Sequence, residues 1–217
     1  MATYLSPWSL KAIDKIRRAF LWRGRKEAKG GHCLIAWPKV CRSCELGGFG
    51  IPDLKALCIA LKARWPWLKR REPSKLWANL PFQVNKEIDA LISVAVVTEI
   101  GNGTNTLFWK DKWINGRRIQ DFAPLIFALV PKRRLIRRTV AKALVGENWT
   151  EDIQGEIDAT ALSQYLNLWD ILPEVELNEE IPDKHVWRFS ASGSYSAKSA
   201  YDMLFQGAII FEPYERI

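Results

Sequence analysis

An α+β fold with helices dominant and two β-hairpins is what this 217-residue sequence predicts. Three observations predict it. Apolar residues recur at helical spacing in stretches beginning near residues 7, 54, 84 and 158. Two β-prone stretches meet turn signals, near 96–109 and near 185–196. And 48% apolar residues with 26% charged ones is the balance of a chain that folds, not of a disordered one. A chain of this length buries one substantial core or two small ones. It holds no apolar run of about 18 residues, so no membrane-spanning helix and no membrane partner are expected.

The first helix enters at Ser6-Pro7, the serine capping and the proline taking the first helical position. Trp8, Ala12, Ile13, Ile16, Ala19 and Phe20 give it an apolar face, and Gly24 stops it. Gly30-Gly31 and Gly47-Gly48 bracket an extended piece, CLIAWPKV, and GGFG at 47–50 reads as a tight loop. Asp53 caps a second helix carrying Leu54, Leu57, Cys58, Leu61, Trp65 and Leu68 on one stripe. Pro66 is expected to kink or end that helix near Arg64 or Trp65, because it lacks an amide and crowds the preceding turn.

A turn at Ser74–Leu80 and a helix over residues 84–95 follow. Val96, Val97 and Ile100 then lead into Asn102-Gly103, and Thr106 to Trp109 return, which reads as a hairpin. A second Asn-Gly turn stands at Asn115-Gly116. A short helix is expected from Thr139 to Val145, stopped by Gly146. A longer one over 158–172 places Leu162, Tyr165, Leu166, Trp169 and Leu172 on one face. Residues 173–184, PEVELNEEIPDK, read as a polar acidic linker, and HVWRF with SYS reads as the second hairpin. Ser196 then caps the helix AKSAYDMLF. Two segments are expected: a basic helical one over 1–95, and a small mixed one over 96–217 with the linker at 173–184.

Charge is concentrated. Residues 11–42 hold ten Lys/Arg against two Asp/Glu, whereas from residue 43 onward the signs balance at 22 each. Cations interleaved with flat rings (Trp22 and Trp37) suit a polyanion, because Lys and Arg displace the counterions condensed on phosphates. RNA or DNA is therefore the expected partner. The candidate phosphate contacts are Lys11, Lys15, Arg17, Arg18, Arg23, Arg25, Lys26 and Lys29, with Arg133, Arg134, Arg137 and Arg138 as a second patch.

Metal and catalytic chemistry are weaker readings. His32, Cys33, Cys41 and Cys44 put four soft ligands within 13 residues, a set zinc accepts, but the adjacent His32-Cys33 pair is an awkward geometry for two bonds to one ion. The first residues, MATYLSPWSLKAIDK, lack the apolar core of a secretory signal, so the cysteines read as thiols in a reducing compartment, cytosol or nucleus. No Gly-x-Ser-x-Gly elbow, His-Glu-x-x-His pair or phosphate-binding Gly-x-x-x-x-Gly-Lys-Ser/Thr loop occurs, and no adjacent Asp-Asp stands between two strands. No enzyme activity and no cofactor are expected.

The wording of the chain carries a further signal. IDKIRRAFLWRG, AWPKVC, ELGGFGIPDL, IGNGTNTLFWKDKW, FALVPKR, RTVAKAL, DIQGEI and HVWRFSASGSYSAKSAYDMLFQGAI together resemble plant-type non-LTR, LINE-like retrotransposon reverse transcriptases. The match lies between the polymerase core and the C-terminal zinc-binding domain. That resemblance implies a thumb-like or connector segment without a complete polymerase palm, its catalytic aspartates lying upstream and the zinc module downstream. It carries over no catalytic or zinc-ligand position. The expected function is a non-catalytic reverse-transcriptase fragment with weak, sequence-independent nucleic-acid binding. The alternatives are an inert structural relic, or a small zinc protein built on His32, Cys33, Cys41 and Cys44.

Overall fold

The computed structural model describes residues 5–24, 35–80, 82 and 84–206. In chain order its elements are α1 (Pro7–Arg23), α2 (Trp37–Val40), α3 (Leu54–Arg71), α4 (Lys86–Ala95), β1 (Val96–Glu99), α5 (Ile119–Phe122), α6 (Pro124–Ala128), α7 (Lys132–Leu135), α8 (Val140–Leu144), α9 (Ala159–Ile171), β2 (Lys184–Trp187) and α10 (Ala197–Met203), joined by loops and short 3-10 turns. The class is α+β and mostly helical, as the sequence predicts. The chain divides into two compact units, Met1–Arg64 with Ser196–Ile217, and Trp65–Tyr195. The segment boundary expected at 95/96 falls inside the second unit, where α4 runs directly into β1.

In the first unit the predicted caps form. Ser6 Oγ accepts from the Ser9 amide at 3.1 Å, and Gly24, at φ 64°, returns its amide to the Phe20 carbonyl at 2.9 Å. Asp53 Oδ1 accepts from the Ala56 amide at 2.9 Å, and the Asp53 amide donates to the Tyr201 hydroxyl on α10 at 2.8 Å. The GGFG loop spends its own amides: those of Gly47, Gly48, Phe49 and Gly50 donate to the carbonyls of Cys44, Ser43, Val40 and Arg42. A Cβ on Gly48 would stand 2.2 Å from the Arg42 carbonyl oxygen, which explains the glycine. The loop is a tight turn with no amide left for a phosphate.

The apolar face predicted for α1 is not a core face. Trp8 is 77% exposed, Phe20 72% and Ile16 54%, and Ala19 is the helix's buried residue among those described.

Helix α3 does not end at Pro66 but continues through it to Arg71. Proline withdraws one i→i−4 hydrogen bond, a local cost of about 3 kcal/mol. Burial beyond it offsets that cost. Trp67 is buried, with its ring at 6.0 Å from Trp187 and 6.4 Å from Tyr195, and Arg70 bonds back to the Pro66 carbonyl at 3.2 Å.

The second unit is built on aromatic packing. Phe108, Trp109, Trp113 and Trp149 form one cluster with Ile119, Ile126 and Leu168. Phe108 and Trp109 meet edge to face at 4.9 Å, and Trp149 lies 5.4 Å from both Tyr165 and Trp169. Helix α9, capped by Asp158 on the Ala161 amide at 2.7 Å, turns Ala161, Tyr165, Leu168 and Trp169 to this core. Leu162 and Leu166, expected on that face, are exposed instead. A stripe one residue away competes in the sequence, and the large rings decide which one goes inward.

Strand pairing also differs from expectation. The two predicted hairpins contribute one strand each, β1 and β2, which pair antiparallel with each other in the register Val96↔Trp187 to Glu99↔Lys184. Asn102-Gly103 does not reverse a hairpin, because its loop is held by something else. Asp183 Oδ1 accepts from the Gly101 and Gly103 amides at 2.9 and 2.8 Å. Its Oδ2 accepts from the Asn105 amide at 3.0 Å and from Thr106 Oγ1 at 2.8 Å. A four-donor grip on one carboxylate outweighs a two-residue turn preference. The stretch 173–184, expected as a linker, thus ends in an internal anchor. Asn115-Gly116 does turn as predicted, with φ of 49° and 71° and a bridge from Ile114 to Arg117.

Candidate nucleic-acid interface

Helix α1 presents Lys11, Lys15 and Arg18, all exposed, at the i, i+4, i+7 spacing that puts them on one face. Arg23 is exposed in its last turn. Arg17 is a structural residue. Its Nη1 meets Asp14 Oδ1 at 2.8 Å, its Nη2 donates to the Pro52 carbonyl at 2.6 Å, and its guanidinium lies 5.4 Å from the centre of the Trp37 ring. A guanidinium so engaged ties three segments of the unit together and has little left for a phosphate. Arg25, Lys26 and Lys29 lie outside the described residues.

The second predicted patch separates in the same way. Arg133, Arg134 and Arg137 are exposed on and beside α7. Arg138 turns inward and grips Asp152 with both arms, Nε to Oδ2 at 2.8 Å and Nη2 to Oδ1 at 2.6 Å. Trp109 Nε1 also donates to Oδ2 at 3.0 Å, and Arg134 Nε approaches Oδ1 at 3.4 Å. Asp152 is 0% exposed, so it needs every one of these partners. The hydrogen bond and charge of Asp152 raise the Arg138 pKa against its partial burial, which marks the pair as a fixed structural bond. Both arms of Arg138 are therefore committed to Asp152.

Of the soft-ligand set, His32 and Cys33 lie outside the described residues. Cys41 is buried, and burial pushes its thiol up to about 11, with Arg17 opposing the shift and Asp53 and Asp14 adding to it. A thiol held in that state is a poor ligand near neutral pH, since metals bind the thiolate. Cys44 is exposed. Among the described residues no three His, Cys, Asp or Glu side chains converge to hold an ion.

Several buried polar residues went unnoticed in the sequence. Asp111 accepts from the Leu107 amide at 2.8 Å and from Arg70 Nη2 at 3.1 Å. His185 is 6% exposed and shares a 2.9 Å hydrogen bond between Nδ1 and Thr98 Oγ1, the residue opposite it in the sheet. Its Nε2 is buried with no hydrogen-bond partner. Burial lowers the imidazole pKa; Asp111 and Asp183 pull it back up and Arg70 adds to the lowering. No motif announces these residues, because the side chains they pair with, Arg70 and Thr98, lie 41 and 87 positions away in sequence.

The chain is similar to a protein of Arabidopsis thaliana whose name reads "Putative ribonuclease H protein", with 28% identity across 94% of the chain. The chain spans 36% of that relative's length. No family model matches the sequence. No solved structure matches the fold. Among the described residues, no helix is long and apolar enough to cross a membrane.

Proposed function

We propose that this chain is a non-catalytic segment of a retroelement reverse transcriptase that holds nucleic acid by its backbone, without reading sequence. The observation that carries the reading is the exposed row of Lys11, Lys15 and Arg18 along α1. Three cations at one-turn spacing follow a phosphate backbone and specify no base. The name of the Arabidopsis relative, that of a ribonuclease H protein, supports the same partner class.

The non-catalytic part rests on how the hydrogen-bonded carboxylates are used. Asp111, Asp152 and Asp183 each accept from the chain's own N–H or O–H donors, and among the described residues no three His, Cys, Asp or Glu side chains converge to hold an ion. Full-length chain should leave an RNA–DNA hybrid uncut in magnesium; specific cleavage lost on Asp→Asn substitution would end this part of the reading.

Binding is tested by fluorescence anisotropy with single-stranded RNA across a salt series. Three phosphate contacts predict a log–log salt slope of about −2, from roughly −0.7 per contact. Lys11→Glu, Lys15→Glu and Arg18→Glu together should abolish binding while leaving the melting transition in place. Undiminished binding by that variant would sink the interface, and no binding by a cooperatively melting parent would leave a structural relic.

A further inference from the structure

A second surface, wholly within Trp65–Tyr195, has no part in that reading. Along β2 and the residue after it, His185 and Trp187 are buried, whereas Lys184 and Arg188 are exposed. Beside this strand opens a cleft of about 1000 Å³. Arg70 and Arg71 at the end of α3 line it with Lys184 and Arg188, and so does the serine loop 190–194 that follows the strand.

The charge balance of the cleft decides what it can take. Its two lining carboxylates are Glu99 and Asp183. Glu99 is paired with Lys184 Nζ at 2.9 Å, and Asp183 is saturated by four donors. Arg70 is committed to Asp111 at 3.1 Å. Arg71 and Arg188 are left. The Arg71 guanidinium lies 5.9 Å from the centre of the Trp67 ring, which orients it without neutralising it, and Arg188 fixes only its main chain, to the Ala95 carbonyl at 2.9 Å. With Glu99 offset by Lys184 and Arg70 by Asp111, Arg71 and Arg188 stand against the single charge of Asp183, whose four donors are all neutral, so the lining keeps a net positive charge.

The loop adds preorganised hydroxyls. Ser190 Oγ donates to the Ser194 carbonyl at 2.6 Å and the Ser194 amide donates to Ser192 Oγ at 3.3 Å, so the loop is folded on itself with Ser192 exposed. His185, whose Nε2 is an orphan, is another lining residue.

We propose that this cleft binds a phosphate group, with Arg71 and Arg188 clamping its oxygens and the exposed Ser192 hydroxyl of the loop donating to them. The same chemistry is offered by the terminal phosphate of a small molecule and by an internal phosphodiester of a single strand. Guanidinium forks match phosphate oxygens two at a time, and hydroxyls satisfy those that remain.

The test is a titration of the full ¹⁵N-labelled chain followed residue by residue by NMR. One arm adds inorganic phosphate against sodium chloride of equal ionic strength; the other adds an oligouridylate with a free 5′-hydroxyl. Saturable shifts of the Lys184–Ser194 amides beyond the chloride control are expected in at least one arm. Phosphate alone identifies a terminal group, and oligouridylate alone a backbone diester. Arg71→Ala with Arg188→Ala should weaken the titration at least tenfold, and Arg188→Lys by less, since charge survives without the fork. The triple Glu variant of α1 should give the same inorganic-phosphate titration as the parent, so the two surfaces stand or fall separately. The proposal is overturned if neither probe moves these amides beyond chloride, or if the folded double-alanine variant titrates like the parent. Should that variant not fold, the parent's shifts against chloride decide alone.

Discussion

The two units bury different things. Among the described residues of the first, the buried apolar positions are Ala19, Val40, Cys41, Ala60, Ala63 and Ala200, all small or medium side chains. The second encloses Trp109, Trp149, Trp187, Phe108, Ile119, Ile126 and Leu168 almost completely, and with them two aspartates that tie distant loops. A core of alanines gains little from burial, since methyl groups remove little surface from water, whereas each enclosed aromatic ring removes about 150–250 Å². The second unit therefore holds its shape from within. The first relies on caps and on Arg17 to position a surface, and that surface carries the proposed nucleic-acid contacts.

Asp152 offers the harshest test of this contrast. Asp152→Ala leaves Arg138 and the Trp109 indole without their acceptor inside the aromatic core, a loss of about 3–5 kcal/mol for a broken buried pair. Chemical denaturation followed by tryptophan fluorescence measures it. A loss under about 1 kcal/mol would mean that the second unit is not organised around this bond.

Asp183→Asn comes next. It removes the charge and turns one of the two acceptor oxygens into a donor, facing amides that also donate, at an expected cost of about 3 kcal/mol. The pH dependence has a definite sign. Burial alone would raise the Asp183 pKa, but the bonds from Gly101, Thr106, Gly103 and Asn105 outweigh it and hold the carboxyl below the usual aspartate range. Its stabilising contribution is thus fully present above about pH 4 and is lost as pH falls through the lowered folded-state value. Acid unfolding of the parent should show that loss, and Asp183→Asn should not.

These two carboxylates show how much of the structure was legible in the sequence. Caps and helices were legible because a cap and its amide stand three residues apart: Ser6, Asp53 and Ser196 all act where the sequence puts them. The Asn115-Gly116 turn was legible for the same reason. What failed was long-range. Asp183 sits in an acidic stretch that reads as solvated linker, and only its distance to Gly101 reveals an anchor. Pro66 reads as a helix breaker because the burial of Trp67 beyond it is not written locally. For the candidate interface, composition located the cations and could not sort them. Lys11, Lys15 and Arg18 face water while Arg17, one position from Arg18, is drawn inward by Asp14, Pro52 and Trp37.

His185 gives a milder effect in a different pH window. Its folded-state pKa lies below the ordinary value of about 6.5, mainly through burial, so the unfolded chain binds more protons below that pH. Stability is then unaffected above about pH 6.5 and declines as pH falls from there toward the folded-state value. The facing groups are Asp111 and Asp183, which favour the cation, and Arg70, which opposes it. His185→Gln should flatten the fall in melting temperature between pH 7 and pH 5. An unchanged profile would place that titration elsewhere in the chain.

The smallest expected effect lies on α1 and probes the other side of the contrast. Phe20→Ser and Trp8→Ser alter side chains 72% and 77% exposed, so each should change stability by no more than about 0.5 kcal/mol. Ala19, beside Phe20 and almost fully buried, supplies the control on the same helix: Ala19→Leu forces extra volume into a closed site and should cost about 1–3 kcal/mol. The order of the two effects is the informative quantity. In a conventional amphipathic helix, truncating the large ring would cost about 3–5 kcal/mol and far outweigh any change at an alanine. Should Phe20→Ser prove the more damaging, α1 packs its aromatic side inward in solution, and Lys11, Lys15 and Arg18 become the solvated back of a core helix. Should Ala19→Leu prove the more damaging, α1 is held by its small residue and leaves both rings and cations available to a partner.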